Sequence, residues 1–230
     1  MASWTYENGA LPPSAWHKHW DAATGNRQSP ITIFKANCKM NLSGGPLVKD
    51  HTFVFDHAHM HWGSPGQHGS EHIIDGQIYD GEIHFVFKEN ANDNVGEYRG
   101  CGEKIAVLCV FVKVATTPEA NNKINKGFET MAAAIKDISE INSHSTLQSF
   151  DLRSLLPNNT AAYFSYAGSL TTPPCTETVR FVLFHEPITI SENEIKIVRG
   201  LRDENRNPIL CNCRPTQHCN NRVVLTSKTC

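Results

Sequence analysis

The chain has 230 residues, 12 histidines and a formal net charge of −2, with 40% hydrophobic and 19% charged residues. This composition is typical of a soluble globular protein, and the lack of a long basic run argues against nucleic acid or a membrane surface as a partner. No stretch of about 18 apolar residues occurs, so no membrane span is expected. The length fits one large domain or two small ones, and without a linker or repeat we expect a single domain over residues 1–230.

Strands dominate the elements predicted along the chain, beginning after an irregular, aromatic-rich segment at residues 1–30. Alternating or continuous apolar runs predict strands at 31–34, 52–62, 82–87, 105–114 and 178–184. Helical spacing predicts helices at 128–138 and from Ser191 to about Leu201. Ser191 and Glu194 form a capping-box pattern at the start of the second helix. The pattern indicates a predominantly β domain with peripheral helices.

Histidines His59 and His61 lie two residues apart in the second predicted strand, and His84 lies in the third. Residues at i and i+2 of a strand point to the same face. If the two strands pair, three imidazoles converge, and three neutral nitrogens with one open position are the ligand set of a catalytic zinc. The alternative is that each is an ordinary packed or surface histidine.

Eight cysteines, four of them crowded near the C-terminus, suit disulfides in an oxidising compartment. The Cys211–Cys213 pair with His218 and Cys219 can also be interpreted as a structural zinc site, but no C-x-x-C spacing supports it. Glycosylation acceptor sequences at Asn41 and Asn158 are compatible with secretion. No signal peptide is recognisable, so the chain is either cytosolic or a mature secreted segment with an added Met, and the cysteines favour secretion.

Several motifs resemble those of the alpha-class carbonic anhydrases, in the same order along the chain. They are Trp4-Thr5-Tyr6, Asn26-Arg27-Gln28-Ser29-Pro30-Ile31, His59-Met60-His61-Trp62-Gly63-Ser64, Gly69-Ser70-Glu71-His72, Glu82-Ile83-His84, Gly168-Ser169-Leu170-Thr171-Thr172-Pro173-Pro174, and Asn212 with Arg214-Pro215. The resemblance implies that family's fold, a single domain around a large, mostly antiparallel twisted sheet with short peripheral helices. It also implies reversible hydration of carbon dioxide to bicarbonate, with sulfonamides and anions as inhibitors.

The same resemblance assigns roles to individual residues. His59, His61 and His84 would bind Zn²⁺, which lowers the pKa of a bound water to about 7. Thr171 would accept the hydrogen bond of the resulting hydroxide, and Glu71 would accept that of Thr171. The resemblance of the opening motif implies that Tyr6 is a catalytic residue as well. The expected apolar substrate pocket is formed by Val86, Val107, Leu170, Thr172, Val179 and Phe181, with Phe181 where the family usually has tryptophan.

Hydrogen-bond partners of the three imidazoles are expected as well, because such partners fix the tautomer and orientation of a ligand. Glu82 lies two residues before His84 on the same strand face and can accept its proton. The backbone carbonyl of Asn212 is expected to hold His61. His57 stands where the family usually offers a glutamine to His59, and a neutral imidazole there can accept through its bare nitrogen.

The chain departs from the family most between Pro30 and His59, where relatives usually have about twice the length. The missing part normally supplies strands, one wall of the cavity and the proton-shuttle histidine. No matching shuttle is identifiable, and His17, His19, His51 and His68 are conceivable substitutes. We therefore expect slower turnover. Lost strands also leave a sheet edge exposed, which a second copy of the chain can cover.

Cysteine positions differ from the family too. Cys175 matches the position of a disulfide in secreted relatives, but its usual partner position is Ala23 here. Cys38 is the nearest alternative partner, so a Cys38–Cys175 bridge is the pairing the resemblance suggests. Cys213 replaces the usual tryptophan before Arg214.

Two functions from different classes remain at this point. The first is a secreted zinc carbonate dehydratase that retains all three ligands together with Glu71 and Thr171. The second is a carbonic-anhydrase-like zinc-binding protein with little activity and a binding, matrix or body-fluid role. The intact ligand set favours the enzyme, and the shortened segment favours the binding protein.

Overall fold

The computed structural model describes residues 12–25, 28–29, 32–33, 38–41, 47, 53–89, 104–136, 138, 145, 147 and 150–227. Ten strands lie in these residues, and most of the predicted ones are among them. They are β1 (Thr32–Ile33), β2 (Cys38–Asn41), β3 (Phe53–Trp62), β4 (Ile73–Ile74), β5 (Gly81–Glu89), β6 (Ile105–Val114), β7 (Tyr163–Gly168), β8 (Val179–Phe184), β9 (Ile188–Ile190) and β10 (Val224–Thr226). The predicted mainly β class is confirmed.

One eight-stranded sheet organises the fold. Its order is β2-β10-β7-β8-β6-β5-β3, and β9 pairs with β6 beside this path. Neighbours are antiparallel at β10/β7, β7/β8, β6/β5 and β5/β3, and parallel at β2/β10, β6/β8 and β6/β9. β1 and β4 form a separate parallel pair. The sheet is therefore mixed and mostly antiparallel, as expected.

Strand β3 is the outermost strand on its side of the sheet within the described residues, where it pairs with β5 alone. Val54 and Phe55 on this strand are 55% and 39% exposed. The shortened stretch between Pro30 and His59 runs into the first half of this strand. Residues 34–37, 42–46 and 48–52 in that stretch lie outside the described residues.

Helices are short and few in the described residues. The α-helices are α1 (Pro118–Asn121), α2 (Lys126–Lys136) and α3 (Glu192–Arg199), and 3₁₀ helices cover Pro13–Lys18, Asp21–Thr24 and Leu152–Leu155. The predicted capping box of α3 is confirmed: Ser191 Oγ accepts from the Glu194 amide at 3.2 Å, and the Glu194 carboxylate accepts from the Ser191 amide at 2.5 Å. None of these helices has the length and apolar character needed to cross a bilayer.

The two faces of the central sheet carry separate cores. Ile83 and Phe85 of β5 belong to a buried cluster that also contains Phe128 of α2 and Val198 of α3. Val86, the next residue after Phe85 on β5, belongs to a second buried cluster. Other members of this cluster include Val107, Tyr166, Val179 and Phe181. Because successive strand residues point to opposite faces, the helices cover one face and the predicted metal ligands lie on the other.

Candidate metal centre

The pairing of β3 with β5 brings the three predicted ligands together. His59 and His84 are direct partners in the antiparallel register, and His61 follows two residues later on the same face. Ring centroids are 5.1 Å apart for His59 and His61, 5.2 Å for His59 and His84, and 4.7 Å for His61 and His84. One ligand nitrogen of each lies within 4.8 Å of the others.

The protonation and hydrogen bonding of these imidazoles fit a metal ion. His61 is 2% exposed, and its Nε2 is buried with no hydrogen-bond partner among the described residues. Burial, followed by the charge of His84, lowers the pKa of His61 to about 3, so its nitrogen keeps a lone pair at neutral pH. A buried ring nitrogen without a partner is costly unless it binds something. A set of three imidazoles suits Zn²⁺ with an open fourth position.

His59 differs from the other two because its side chain keeps exposed surface. Desolvation, followed by the charges of His84 and His61, lowers the pKa of His59 as well. The site is therefore reached from solvent on the His59 side, while His61 and His84 form its buried floor. Such access is what an open coordination position requires.

Glu82 fixes His84 from behind. His84 Nε2 lies 2.7 Å from Glu82 Oε1, which leaves Nδ1 of that ring on the side of the other two histidines. Burial acts to raise the pKa of Glu82, but the charges of His72 and His84 and their hydrogen bonds outweigh it and hold the pKa well below the usual value. Burial acts to lower the pKa of His84, and the Glu82 charge outweighs it. A carboxylate behind a ligand imidazole sets its tautomer and raises its basicity.

Asn212 holds His61 through its backbone carbonyl. His61 Nδ1 lies 2.8 Å from the Asn212 carbonyl oxygen, so Nε2 is the atom left for a metal. The Asn212 side chain binds on both sides of His61: its Oδ1 accepts from the Trp62 amide at 2.7 Å, and its Nδ2 donates to the Met60 carbonyl at 2.9 Å. This residue therefore fixes both the ring and the strand backbone of His61.

Glu71 and Thr171 lie beside the imidazoles. Glu71 is fully buried, its Oε1 accepts from the Arg214 amide at 2.8 Å, and its Oε2 lies 3.4 Å from His61 Nε2. Burial raises the pKa of Glu71 to about 8, although the Arg214 amide and the Thr171 hydroxyl donate hydrogen bonds that lower it. Thr171 is 6% exposed. The Thr171 hydroxyl thus interacts with Glu71, which itself lies next to His61.

Comparison with known proteins agrees with this geometry. The sequence model of the eukaryotic-type carbonic anhydrases matches residues 34–228. The chain belongs to the carbonic anhydrase family.

Relatives of this carbonic anhydrase family member match over two thirds to nearly all of their own length. Carbonic anhydrase 6 of Homo sapiens is 29% identical over 97% of this chain and 83% of its own length. Carbonic anhydrase 1 of Mus musculus is 31% identical over 98% of both chains. A human relative named carbonic anhydrase-related protein is 32% identical over 81% of this chain and 66% of its own length. The predicted family and fold are confirmed.

His57 is placed differently from the expectation that it accepts a hydrogen bond from His59. The two rings stack with centroids 5.1 Å apart, and His57 Nδ1 lies 2.6 Å from Asp56 Oδ2. A register irregularity between Phe55 and His57 shifts the strand there.

A His57→Ala variant tests this placement. Because His57 makes no hydrogen bond to His59, we expect its removal to change zinc affinity less than twofold. Competition with a chromogenic chelator at pH 7 measures this, and a loss of about 10–100-fold, the usual cost of losing a ligand's partner, would contradict it. Asp56→Asn is the matched control, since it removes the charged partner of His57, together with the surface ion pair to Lys88, and leaves every imidazole in place.

The expected pocket residues lie together on the ligand side of the sheet. Val86, Val107, Val179 and Phe181 are each at most 5% exposed and share one core cluster, against which Leu170 packs. Phe181 stacks on Tyr166 and meets His84 edge-on at 6.0 Å. Leu170 and Thr172 are half-buried. The side chains of this cluster are apolar, and their role as a substrate pocket stays a prediction.

Other predicted residues fall outside the site or the described residues. Tyr6 and His51 lie outside the described residues. His17 and His19 are exposed, and His68 is half-buried. Cys175 is a buried free thiol in the structure, so the suggested Cys38–Cys175 bridge is not formed; the side chain of Cys38 is outside the described residues. The resemblance matched Cys175 to a disulfide position of the family, but it could not show which cysteine lies close enough to pair with it.

Sequence reasoning missed a buried network behind Glu82. His72 donates to Glu82 from its amide at 2.9 Å, and its Nδ1 lies 2.7 Å from Glu82 Oε1. Its Nε2 lies 2.6 Å from the Tyr166 hydroxyl, which lies 2.9 Å from Ser29 Oγ. The sequence analysis placed His72 and Ser29 within family motifs, but it gave neither residue a role.

Cys109 joins the same network from β6. It is the register partner of His84, is fully buried, and hydrogen-bonds to Glu82. Its sulfur and ligand atoms of His72, Glu82 and His84 lie within 4.8 Å of one another. Because both His72 nitrogens already have partners, this second cluster is a hydrogen-bonded support for His84 rather than a second ion site. In an apolar strand, a cysteine gives no sequence signal for such a role.

The metal-free protein is expected to lose stability as the pH falls from about 6.5 toward 3. An unfolded histidine has a pKa near 6.5, whereas burial lowers that of His61 to about 3. Between these values the unfolded chain binds the proton and the folded chain does not, so acid favours unfolding. Urea unfolding of chelator-treated protein at pH 7 and pH 5 measures the change. A His61→Gln variant should show a smaller pH difference, and an identical difference would contradict the assignment.

Proposed function

We propose that this chain binds Zn²⁺ and catalyses the reversible hydration of carbon dioxide to bicarbonate and a proton. The observation that carries the proposal is the set of three converging imidazoles with Glu71 and Thr171 beside them. His59, His61 and His84 would hold the ion, and residues 1–230 would form one domain around it. Zinc in such a site makes a water acidic enough to supply a nucleophile near neutral pH.

The surrounding residues orient the reaction. The charge of a bound zinc ion would favour the ionised form of Glu71. Thr171 would then accept a hydrogen bond from the attacking oxygen, because its own proton is donated to that carboxylate. Glu82 and the Asn212 carbonyl keep the proton of their partner imidazoles on the nitrogen away from the ion. The apolar wall at Val86, Val107 and Val179 suits carbon dioxide, a small ligand with little polarity.

Proton export limits the proposed turnover. The exposed histidines His17 and His19 and the half-buried His68 are the shuttle candidates within the described residues, and none contacts the three ligands. Regenerating the nucleophile then depends on buffer molecules that reach the site. We expect the rate of hydration to rise with buffer concentration.

A stopped-flow assay of carbon dioxide hydration tests this function. Zinc-saturated protein should accelerate hydration, an aromatic sulfonamide should abolish the acceleration, and imidazole buffer should increase it. A fully zinc-loaded protein without sulfonamide-sensitive activity would overturn the enzyme proposal. That result would favour the second candidate, a zinc-binding protein with little activity. The stacked, unsupported His59 and the relative named carbonic anhydrase-related protein are what favour it.

Secretion and glycosylation belong to the same proposal. Eight cysteines suit an oxidising compartment, and Asn158 in one acceptor sequence is exposed. The other acceptor, Asn41, lies in β2. Mass measurement before and after enzymatic deglycosylation of protein secreted by eukaryotic cells tests both positions.

The outer edge of β3 is where we propose that a second copy of the chain pairs. Val54 is 55% exposed on this strand, and an apolar unpaired edge is a template for strand addition. A Val54→Lys substitution should then convert dimers into monomers in light scattering coupled to gel filtration, because a charge on an edge strand opposes pairing. Val223→Lys, which changes an exposed valine away from this edge, is the matched control. A wild-type protein that is monomeric at all concentrations would contradict the pairing.

A further inference from the structure

Cys211 and Cys213 bracket the residue that holds His61. Asn212 lies between them, and its carbonyl oxygen accepts a hydrogen bond from His61 Nδ1 at 2.8 Å. Its side chain forms hydrogen bonds with the backbone of Met60 and Trp62. Its amide also donates to the Trp62 carbonyl at 3.2 Å. Any movement of this tripeptide is therefore transmitted to the middle of the metal centre.

The two sulfur atoms lie on the same side of the tripeptide. Cys211 Sγ contacts the His68 carbonyl at 4.0 Å, and Cys213 Sγ contacts the next carbonyl in the chain, that of Gly69, at 3.2 Å. A hydrogen bond links the Cys213 thiol to Cys211 and, together with burial, raises the pKa of Cys213. Two residues span at most about 7 Å of backbone, which is within the range that a disulfide bridges.

We propose that Cys211 and Cys213 form a redox-sensitive disulfide that weakens the hold of Asn212 on His61. The bridge itself does not depend on the proposed function, whereas its effect on zinc rests on the proposed metal site. Cys211 is half-buried and Cys213 is 8% exposed, so Cys211 is the sulfur that an oxidant reaches first.

Hydrogen peroxide is the oxidant in the proposed reaction. The Cys211 sulfur attacks one peroxide oxygen, the O–O bond breaks, and a sulfenic acid and one water result. The Cys213 sulfur then attacks the sulfenic sulfur, the S–S bond forms, and a second water leaves with the thiol proton. Two thiols thus lose two electrons and two protons to one peroxide, which becomes two waters.

Bridge formation changes the contacts around Asn212. The sulfurs must approach to about 2.05 Å, and both thiol protons that face the carbonyls of residues 62, 68 and 69 are lost. We expect the backbone of residues 211–213 to shift as the sulfurs approach. Loss of the partner of a ligand histidine usually costs about 10–100-fold in metal affinity, so we expect a loss of that size on oxidation.

Peroxide treatment of the zinc-loaded full chain tests the proposal. Peptide mapping after alkylation should show a Cys211–Cys213 bridge with a loss of two hydrogens, and a chromogenic chelator should report faster zinc release. Dithiothreitol should restore both, which separates the disulfide from methionine oxidation at Met60, since sulfoxide is not reduced by this thiol. Cys211→Ser should abolish the response, and Cys219→Ser, a half-buried cysteine outside the pair, should leave it intact.

The outcomes separate this proposal from the function. Oxidation that leaves residues 211 and 213 unbridged, or that joins them to other cysteines, would overturn it. A mapped bridge with unchanged zinc release would overturn the coupling to His61. Reduced protein that binds no zinc would refute the metal site, and the mapped bridge would then stand alone as a modification.

Discussion

Replacing His84 with alanine is expected to cost more zinc affinity than the loss of any residue behind the ligands. The substitution removes one of three imidazoles and leaves the buried Glu82 without one of its donors. Loss of a ligand's partner costs about 10–100-fold, so loss of the ligand itself should exceed that range. Zinc content after dialysis against a competing chelator, with circular dichroism as a check of folding, measures the effect.

A second variant guards against misfolding. His84→Gln keeps a side-chain amide long enough to reach the position of Nε2 and donate to Glu82, so the buried carboxylate retains a partner while the imidazole is gone. We expect this variant to fold and still to lose zinc. His218→Ala, at an exposed histidine, serves as the control that keeps wild-type affinity. Tight zinc binding in the His84→Gln variant would refute the assignment of His84.

Replacing Thr171 with alanine is expected to reduce kcat/KM for hydration by about 10–100-fold while zinc content stays full. The Thr171 hydroxyl donates to Glu71, and in the proposed reaction it accepts a hydrogen bond from the attacking oxygen. A hydrogen bond to a charged group contributes ~1.5–3 kcal/mol, and each ~1.4 kcal/mol in the barrier is tenfold in rate. Stopped-flow kinetics on zinc-saturated variants measure this.

Thr171→Ser is the matched control, because it keeps the hydroxyl and removes one methyl group. It should retain most of the wild-type kcat/KM. Glu71→Gln should resemble the alanine variant, because an amide presents a donor as well as an acceptor and no longer fixes the direction of the hydroxyl. Equal activity of the alanine and serine variants at full zinc occupancy would show that the hydroxyl does not orient the reactant.

The placement of the three histidines follows from the sequence because strand geometry is local. Residues two apart in a strand share a face, so recognising the strand was enough to place His59 and His61 together. The resemblance then indicated that this strand pairs with the strand of His84. The fold class followed from apolar runs in the same way. Glu82 also came from local spacing, since it lies two residues before His84 on the same face.

Contacts between distant segments were beyond the sequence. Cys109 reaches Glu82 only because β6 pairs with β5 in one particular register, and an apolar strand with a cysteine is consistent with many registers. His57 contacts Asp56 next to a register irregularity in β3, and no residue pattern in the sequence predicts such an irregularity. The Cys38–Cys175 pairing failed for the related reason that adjacency of two cysteines in space is not encoded in their spacing.

The division of the central sheet into two faces has a practical consequence for immobilising this protein on a solid support. Helix α3 lies on the face opposite the histidines, and Lys196 on that helix is 64% exposed at its side chain. Coupling through an amine at this position attaches the protein by the back of the sheet. The opening beside His59 then points into solution, where the substrate and product of the proposed reaction would exchange without crossing the matrix.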